Sequence, residues 1–242
     1  MNELRKSFHH DLENARSQVV RMAAMVTETV ARATSVLLDG DLEGAEYVIK
    51  GDAELDARAV EAEEHCIEIL ALQSPVAGDL RQVLAIMKMI SDIERSGDLA
   101  ANICKIARRI YGHHDLDPKL RGLISRMGDQ AQTLYKAAIE AFQENDAAKA
   151  AAVDDMDAYL DALQKQFIQA MFESNHAGRL DLQEAIELAM VARFYERIGD
   201  HAVHIAERVR FVLTGWLPDH RKPDRPEVEV DSLLPSEPTE GG

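Results

Sequence analysis

Apolar residues recur along most of the chain at the three- to four-residue spacing that is typical of an α-helix. Turn-forming residues interrupt this pattern at five places, which are LLDGDLEG, QSPVAGD, YGHHDLDP, QEND and SNHAGRLD. Asp79 and Asp181 stand where helix N-caps are expected. The pattern predicts six helices, over roughly residues 3–38, 42–72, 79–111, 118–143, 146–174 and 181–215.

The six predicted helices form two sets of three that resemble each other in sequence. A shift of 105 residues places GDAELD (51–56) on MDAYLD (156–161). A shift of 102 residues places ERSGDLAANI, which begins at residue 94, on ERIGDHAVHI, which begins at residue 196. We therefore predict an all-α fold of two tandem antiparallel three-helix bundles related by internal duplication. The first bundle would span residues 1–112 and the second residues 113–216.

The composition changes near residue 217, because the segment 217–242 contains five of the seven prolines together with many acidic residues. Proline cannot continue a helix, and a segment with so few apolar residues cannot bury a core. We expect this Pro-rich acidic tail to be disordered.

The charge and composition of the chain argue against several classes of function. The 242 residues carry a formal net charge of −16, and only 5% of them are aromatic. An acidic surface repels nucleic-acid phosphates and anionic lipid, so we predict no nucleic-acid binding and an attraction for cations or basic partner surfaces. The N-terminus lacks the apolar region of a signal peptide, and no run approaches the ~20 apolar residues of a membrane span. We expect a cytoplasmic protein.

Acidic residues interrupt the apolar seams of the second and third predicted helices in each half. Residues four apart lie on one side of a helix, so the two acids of each helix lie next to each other. Two neighbouring helices would then bring four acids together. Charged side chains on a packing face are costly unless they are paired or coordinated. The acids are Asp52, Asp56, Glu94 and Asp98 in the first half, and Asp157, Asp161, Glu196 and Asp200 in the second half.

Four carboxylates that face one another suit a hard divalent or trivalent cation such as Mg²⁺, Mn²⁺ or Fe³⁺. Salt bridges, solvated helix faces and contacts with a partner are the alternative interpretations of the same acids. Arg95 and Arg197 lie one residue beyond Glu94 and Glu196, a step that turns them by about 100° toward solvent or a partner. His204, four residues beyond Asp200, could join the second site.

Signatures of catalysis are absent from the sequence, so we predict that the protein is not an enzyme. There is no phosphate-binding glycine loop and no Ser/His/Asp set. A di-iron redox bundle, which is one alternative, needs two ExxH motifs on facing helices. The chain has one such motif, Glu173 and His176, at the end of a predicted helix.

These motifs, in this order, resemble those of the PhoU family of phosphate-uptake regulators. The resemblance covers nearly the whole chain to about residue 215 and includes GDAELD, MDAYLD, ERSGD, ERIGD and LALQSPVAGDLR (70–81). The duplicated pattern is more specific than any single copy. The chain departs from the family pattern at AGRLDLQEAIELAMVA (177–192), which lacks the Pro and Arg of QSPVAGDLR, and in the acidic tail.

The resemblance implies two three-helix bundles whose E/DxxxD pairs hold metal clusters. It also implies a cytoplasmic dimer or higher oligomer that couples a phosphate ABC transporter to a membrane sensor histidine kinase. Such a protein represses phosphate-starvation genes when phosphate is plentiful and meets the membrane only through contacts with those proteins. The alternatives are a structural helical adaptor without metal and a di-iron redox bundle.

Overall fold

The computed structural model describes residues 2–112 and 116–216, and these residues form helices without any strand. The six helices are α1 (Asn2–Asp39), α2 (Leu42–Gln73), α3 (Ala77–Arg109), α4 (Pro118–Glu144), α5 (Ala147–His176) and α6 (Leu182–Thr214). Across these two ranges no helix combines the length and apolarity needed to cross a bilayer. The all-α prediction is confirmed, while the predicted tail 217–242 lies outside the described residues.

Side chains at the helix ends explain most of the boundaries. Asp181 caps α6 by accepting a hydrogen bond from the Glu184 amide at 2.8 Å, and the Glu184 carboxylate accepts one from the Asp181 amide in return. The predicted N-cap of α3 was wrong. This helix begins at Ala77 after Val76, which has no capping side chain, and Asp79 lies within its first turn. An acidic residue there still interacts favourably with the positive end of the helix.

The packing of the helices follows the duplication. Helices α1, α2 and α3 all contact one another, as do α4, α5 and α6. The two bundles meet through α3 against α6 and α1 against α4, which leaves α2 and α5 at opposite edges of the molecule. One hydrophobic core runs through both bundles, with fully buried side chains such as Val19, Ile90 and Leu134. The prediction of two duplicated three-helix bundles is therefore confirmed, and the two bundles share a core.

Buried polar contacts fix the position of one bundle against the other. The Thr34 and Tyr195 hydroxyls are hydrogen-bonded at 2.7 Å between α1 and α6. The Ser96 hydroxyl lies 2.8 Å from Nδ1 of His201, between α3 and α6, and it also accepts a hydrogen bond from Tyr135 of α4. Because each buried polar group needs its partner, a shift of the bundles along this interface would leave several of them unpaired.

Two glycines let α3 approach α2 and α6 approach α5. A Cβ atom at position 97 would overlap the side chain of Leu55. A Cβ atom at position 199 would lie 2.6 Å from Leu160 Cδ2 and 2.7 Å from Asp157 Oδ1, closer than van der Waals contact allows. Glycine is therefore what brings each helix pair, together with the acids on it, this close.

Replacing Gly199 with alanine should destabilise the protein by about 2 kcal/mol, because overpacking outweighs the gain in helix propensity. Gly122→Ala is the matched control, since Gly122 is an exposed residue of α4 with no atom within 4 Å of an added Cβ. The control should instead stabilise the protein by about 1 kcal/mol. Urea unfolding of both variants measures the difference, and equal effects would contradict the close approach.

Candidate metal centres

The four acids of the first half come together in the groove between α2 and α3. Asp52 and Asp56 project from α2, and carboxylate oxygens of these two residues and of Asp98 on α3 all lie within 4.8 Å of one another. Glu94 is one turn before Asp98 on α3, and the charges of Asp98 and Asp56 act on it. We name these four residues the first cluster. The one-turn spacing within each helix and the close approach at Gly97 create it.

Burial and mutual repulsion shape the electrostatics of the first cluster. The pKa of Asp52 is raised to about 6, first by burial and then by the negative charges of Asp98 and Asp56, while Lys105 opposes the shift. Burial also raises the pKa of Glu94, and Asp98 and Asp56 add to this effect. Removing a carboxylate from water and placing like charges beside it both disfavour the ionised form. A cation bound among these oxygens would relieve both costs.

The second half repeats this arrangement between α5 and α6. Asp157 and Asp161 lie on α5, Glu196 and Asp200 lie on α6, and we name these four residues the second cluster. The charges of Asp200 and Asp161 both act on Glu196, whose pKa is raised first by burial. Asp157 lies beside the backbone of Gly199. All eight predicted acids thus lie in the two grooves expected from the sequence.

The two clusters differ in how closely their oxygens converge and in their neighbours. Over the described parts of the chain, the trio of Asp52, Asp56 and Asp98 is the only set of three potential ligands within 4.8 Å of one another. In the second cluster, Arg193 forms an ion pair with Glu196. This contact also keeps the pKa of Glu196 from rising as far as burial and Asp200 would raise it. The contact of Arg193 was not among the predictions, although its three-residue spacing from Glu196 is a pairing signal in the sequence.

The chemistry of the donor atoms fits a hard cation. Each cluster offers carboxylate oxygens, the ligands that Mg²⁺, Mn²⁺ and Fe³⁺ prefer in proteins. In the first cluster three donors already lie within reach of one ion, and the missing Cβ of Gly97 leaves Asp52 room beside α3. The residues present therefore fit a metal, and they fit it better in the first half than in the second.

The remaining predicted residues lie around these clusters. Arg95 and Arg197 are exposed, as expected from their turn away from the acids. His204 is turned toward α3, where its Nδ1 lies 3.8 Å from Oδ1 of Asp92 and the contact raises the pKa of the imidazole. Asp92 is buried, and its contact with His204 could not be predicted from local sequence patterns, because the two residues lie in different halves.

Replacing Asp52 with asparagine should change how the stability of the metal-free protein depends on pH. Because the pKa of Asp52 is raised to about 6, its contribution to stability is full below its unfolded pKa of about 3.9 and is lost as pH rises through about 6. Asparagine never ionises, so the free energy of unfolding of the variant should rise above that of the parent as pH increases. The difference should reach about 1 kcal/mol between about pH 4 and about pH 8, after allowing for solvent screening.

Urea unfolding in EDTA across this pH range measures that gain. Asp154→Asn, which changes an exposed carboxylate on α5, is the matched control and should follow the parent at every pH. A difference between Asp52→Asn and the parent that does not vary with pH would contradict the crowded first cluster.

Comparison with known proteins agrees with the fold and the repeated motifs. The family model described as the PhoU domain matches residues 19–107 and again residues 124–209. A protein from Mycobacterium tuberculosis named phosphate-specific transport system accessory protein PhoU homolog 2 is 34% identical over 215 residues, covering 89% of this chain and 100% of that protein. A homologue from Aquifex aeolicus is 34% identical over 77% of this chain and 84% of its own length.

Solved structures of similar proteins share the arrangement of helices. PhoU from Pseudomonas aeruginosa superposes with a TM-score of 0.80 and 30% identity, over 86% of this chain and 100% of that chain. The phosphate transport system regulatory protein PhoU from Streptococcus pneumoniae also gives a TM-score of 0.80, with 25% identity over 88% of this chain and 99% of that chain. With both halves matched by the family model and full-length relatives at this identity, the chain belongs to the PhoU family.

Proposed function

We propose that this protein is a cytoplasmic regulator of phosphate uptake that acts through contacts with other proteins and not as an enzyme. Membership of the PhoU family is the observation that carries this proposal. It is supported by the names of the relatives, which are described as an accessory protein of a phosphate-specific transport system and as a regulatory protein of phosphate transport. The chain spans the full length of several of these relatives.

In this role the protein couples a phosphate ABC transporter to a phosphate-sensing histidine kinase and represses the phosphate-starvation response when phosphate is plentiful. Its net charge of −16 supports binding to basic surfaces on the cytoplasmic parts of these partners. The exposed Arg95 and Arg197, beside the clusters, are candidates for contacts with a partner. The long exposed helix faces of the bundles also support self-association as a homodimer or higher oligomer.

We propose further that each cluster holds a hard metal ion, Mg²⁺, Mn²⁺ or an iron ion. Asp52, Asp56, Glu94 and Asp98 would hold it in the first half, and Asp157, Asp161, Glu196 and Asp200 in the second. Such an ion would supply positive charge and no chemical step: it would neutralise the acids and so stabilise the packing of each helix pair. Clusters whose ligands are all oxygen favour this structural and regulatory role over a di-iron redox centre, which needs histidine ligands as well.

Deleting the gene should switch on phosphate-starvation genes in cells grown with plentiful phosphate, because the repressing contact between transporter and kinase is lost. The parent chain supplied on a plasmid should restore repression. A reporter fused to a phosphate-starvation promoter measures the response. Unchanged repression in the deletion strain would argue for a different role.

Replacing Asp98 with asparagine tests the metal directly. Asparagine keeps the shape of the side chain and removes one of the crowded charges, so in EDTA the variant should be at least as stable as the parent. Saturating Mn²⁺ should stabilise the parent by about 2.7 kcal/mol at a hundredfold excess over Kd, and the variant by much less. Melting curves with and without metal measure both effects.

A structural adaptor without metal gives the opposite pattern in that experiment. If Asp98 instead serves as the counter-charge of a basic residue, Asp98→Asn lowers the metal-free melting temperature. Mn²⁺ would then have the same small effect on parent and variant. Asp200→Asn should behave like Asp98→Asn in sign, because Asp200 holds the equivalent place in the second half.

A further inference from the structure

The two clusters share one arrangement of acids, but the basic side chains around them differ. The shift of 102 residues that relates α3 to α6 places Ser91 of the first half on Arg193 of the second. Arg193 lies one turn before Glu196, and its guanidinium Nη1 forms an ion pair with Glu196 Oε2. The Glu196 side chain is only 14% exposed, so this contact lies at the edge of a partly dehydrated groove. Serine at position 91 brings no charge to the equivalent place.

The first cluster has no comparable contact. Within the part of the chain that the structure describes, no Lys or Arg forms an ion pair with Asp52, Asp56, Glu94 or Asp98. Lys105 lowers the pKa of Asp52 from a distance, while its ammonium donates a hydrogen bond to Asn102 at 3.0 Å. The residue equivalent to Lys105 in the second half is Glu207, so the cations of the two halves stand at different ends of their clusters.

We infer that Arg193 acts as a built-in counter-cation of the second cluster and sets its metal affinity below that of the first. This inference rests on the proposed metal-binding role of the clusters. A metal ion that enters the second cluster must displace the guanidinium from Glu196 or bind beside its positive charge. Both routes weaken binding, because like charges repel at such distances and a carboxylate that is already paired gains less from an ion.

The exposure of Arg193 makes displacement the easier route. Its side chain is 54% exposed, so the guanidinium can turn into solvent when an ion takes its place. The guanidinium of Arg193 therefore competes with the metal ion for the Glu196 carboxylate but does not prevent the ion from binding. As the metal concentration rises, the first cluster fills first, and the second cluster fills only once the ion can compete with Arg193. The duplicated halves therefore respond over two different ranges of metal concentration.

The test measures each cluster alone in the full-length chain. Asp52→Asn with Asp98→Asn disables the first cluster, and Asp157→Asn with Asp200→Asn disables the second. Equilibrium dialysis with Mn²⁺, with the free ion measured by electron paramagnetic resonance, gives the Kd of the remaining cluster. We expect a weaker Kd for the second cluster. Arg193→Ser should tighten it about tenfold, and Ser91→Arg should weaken the first cluster about tenfold.

Two further variants keep the result specific. Arg193→Gln removes the charge but keeps a long polar side chain, and it should match Arg193→Ser. Arg197→Ser removes an equal charge from an exposed residue that forms no ion pair with the second cluster in the described structure, and it should change the Kd far less. In EDTA, Arg193→Ser should lower the melting temperature, because Glu196 loses its counter-charge, whereas Ser91→Arg should raise it.

The outcomes separate this inference from the proposal on which it rests. If both clusters bind Mn²⁺ with equal affinity, or if Arg193→Ser and Arg197→Ser have equal effects, the role of Arg193 is wrong while metal binding stands. A second cluster that binds more tightly than the first also overturns the inference. If neither cluster of the parent protein binds Mn²⁺, the inference and the proposed metal role are both overturned.

Discussion

In each half of this protein, two helices pack so closely that the carboxylates in the groove between them repel one another. This close packing is the constraint on which the rest of each half depends. Gly97 and Gly199 let the helix pairs approach, and the apolar seams on either side hold them there. In the first cluster, oxygens of Asp52, Asp56 and Asp98 come within 4.8 Å of one another, and burial and like charge raise the pKa of Asp52. The fold thus places together four groups that repel one another, an arrangement that a hard cation would stabilise.

The duplication preserves this geometry while the surrounding charges differ. Both halves contain a glycine opposite the first acid pair, and both contain the glutamate and aspartate one turn apart on the third helix. The side chains around them do not match, because Arg193 stands where the first half has Ser91, and Glu207 stands where it has Lys105. Two sites with the same arrangement of helices and acids but different neighbouring charges can have different affinities for the same ion.

The contact between α3 and α6 connects the two clusters physically. Each of these helices carries half of the acids of one cluster, and the Ser96 hydroxyl meets His201 between them at 2.8 Å. Ser96 lies between Glu94 and Asp98 along α3, and His201 follows Asp200 on α6. The helices that carry the two clusters are therefore in direct contact, and the core between the bundles is continuous.

The sequence by itself determined the six helices, the duplication and the acids that line each groove. These features depend on local spacing: a 3.6-residue period sets which side of a helix faces the core, and capping residues such as Asp181 mark where a helix begins. The repeated motifs could be read because both copies keep the same spacing. The sequence pattern predicted the start of α3 wrongly, because Asp79 has the properties of an N-cap residue although the helix begins at Ala77.

Only the tertiary structure decided the distances between elements. It joined the bundles into one core through the α3–α6 and α1–α4 contacts, turned His204 toward Asp92, and made the first cluster tighter than the second. Periodicity tells which face of a helix a residue occupies, but the separation of two helices depends on side chains distant in sequence that pack between them. The acids and the pairing of Arg193 with Glu196 were therefore predictable from the sequence, whereas the closer convergence of oxygens in the first cluster was not.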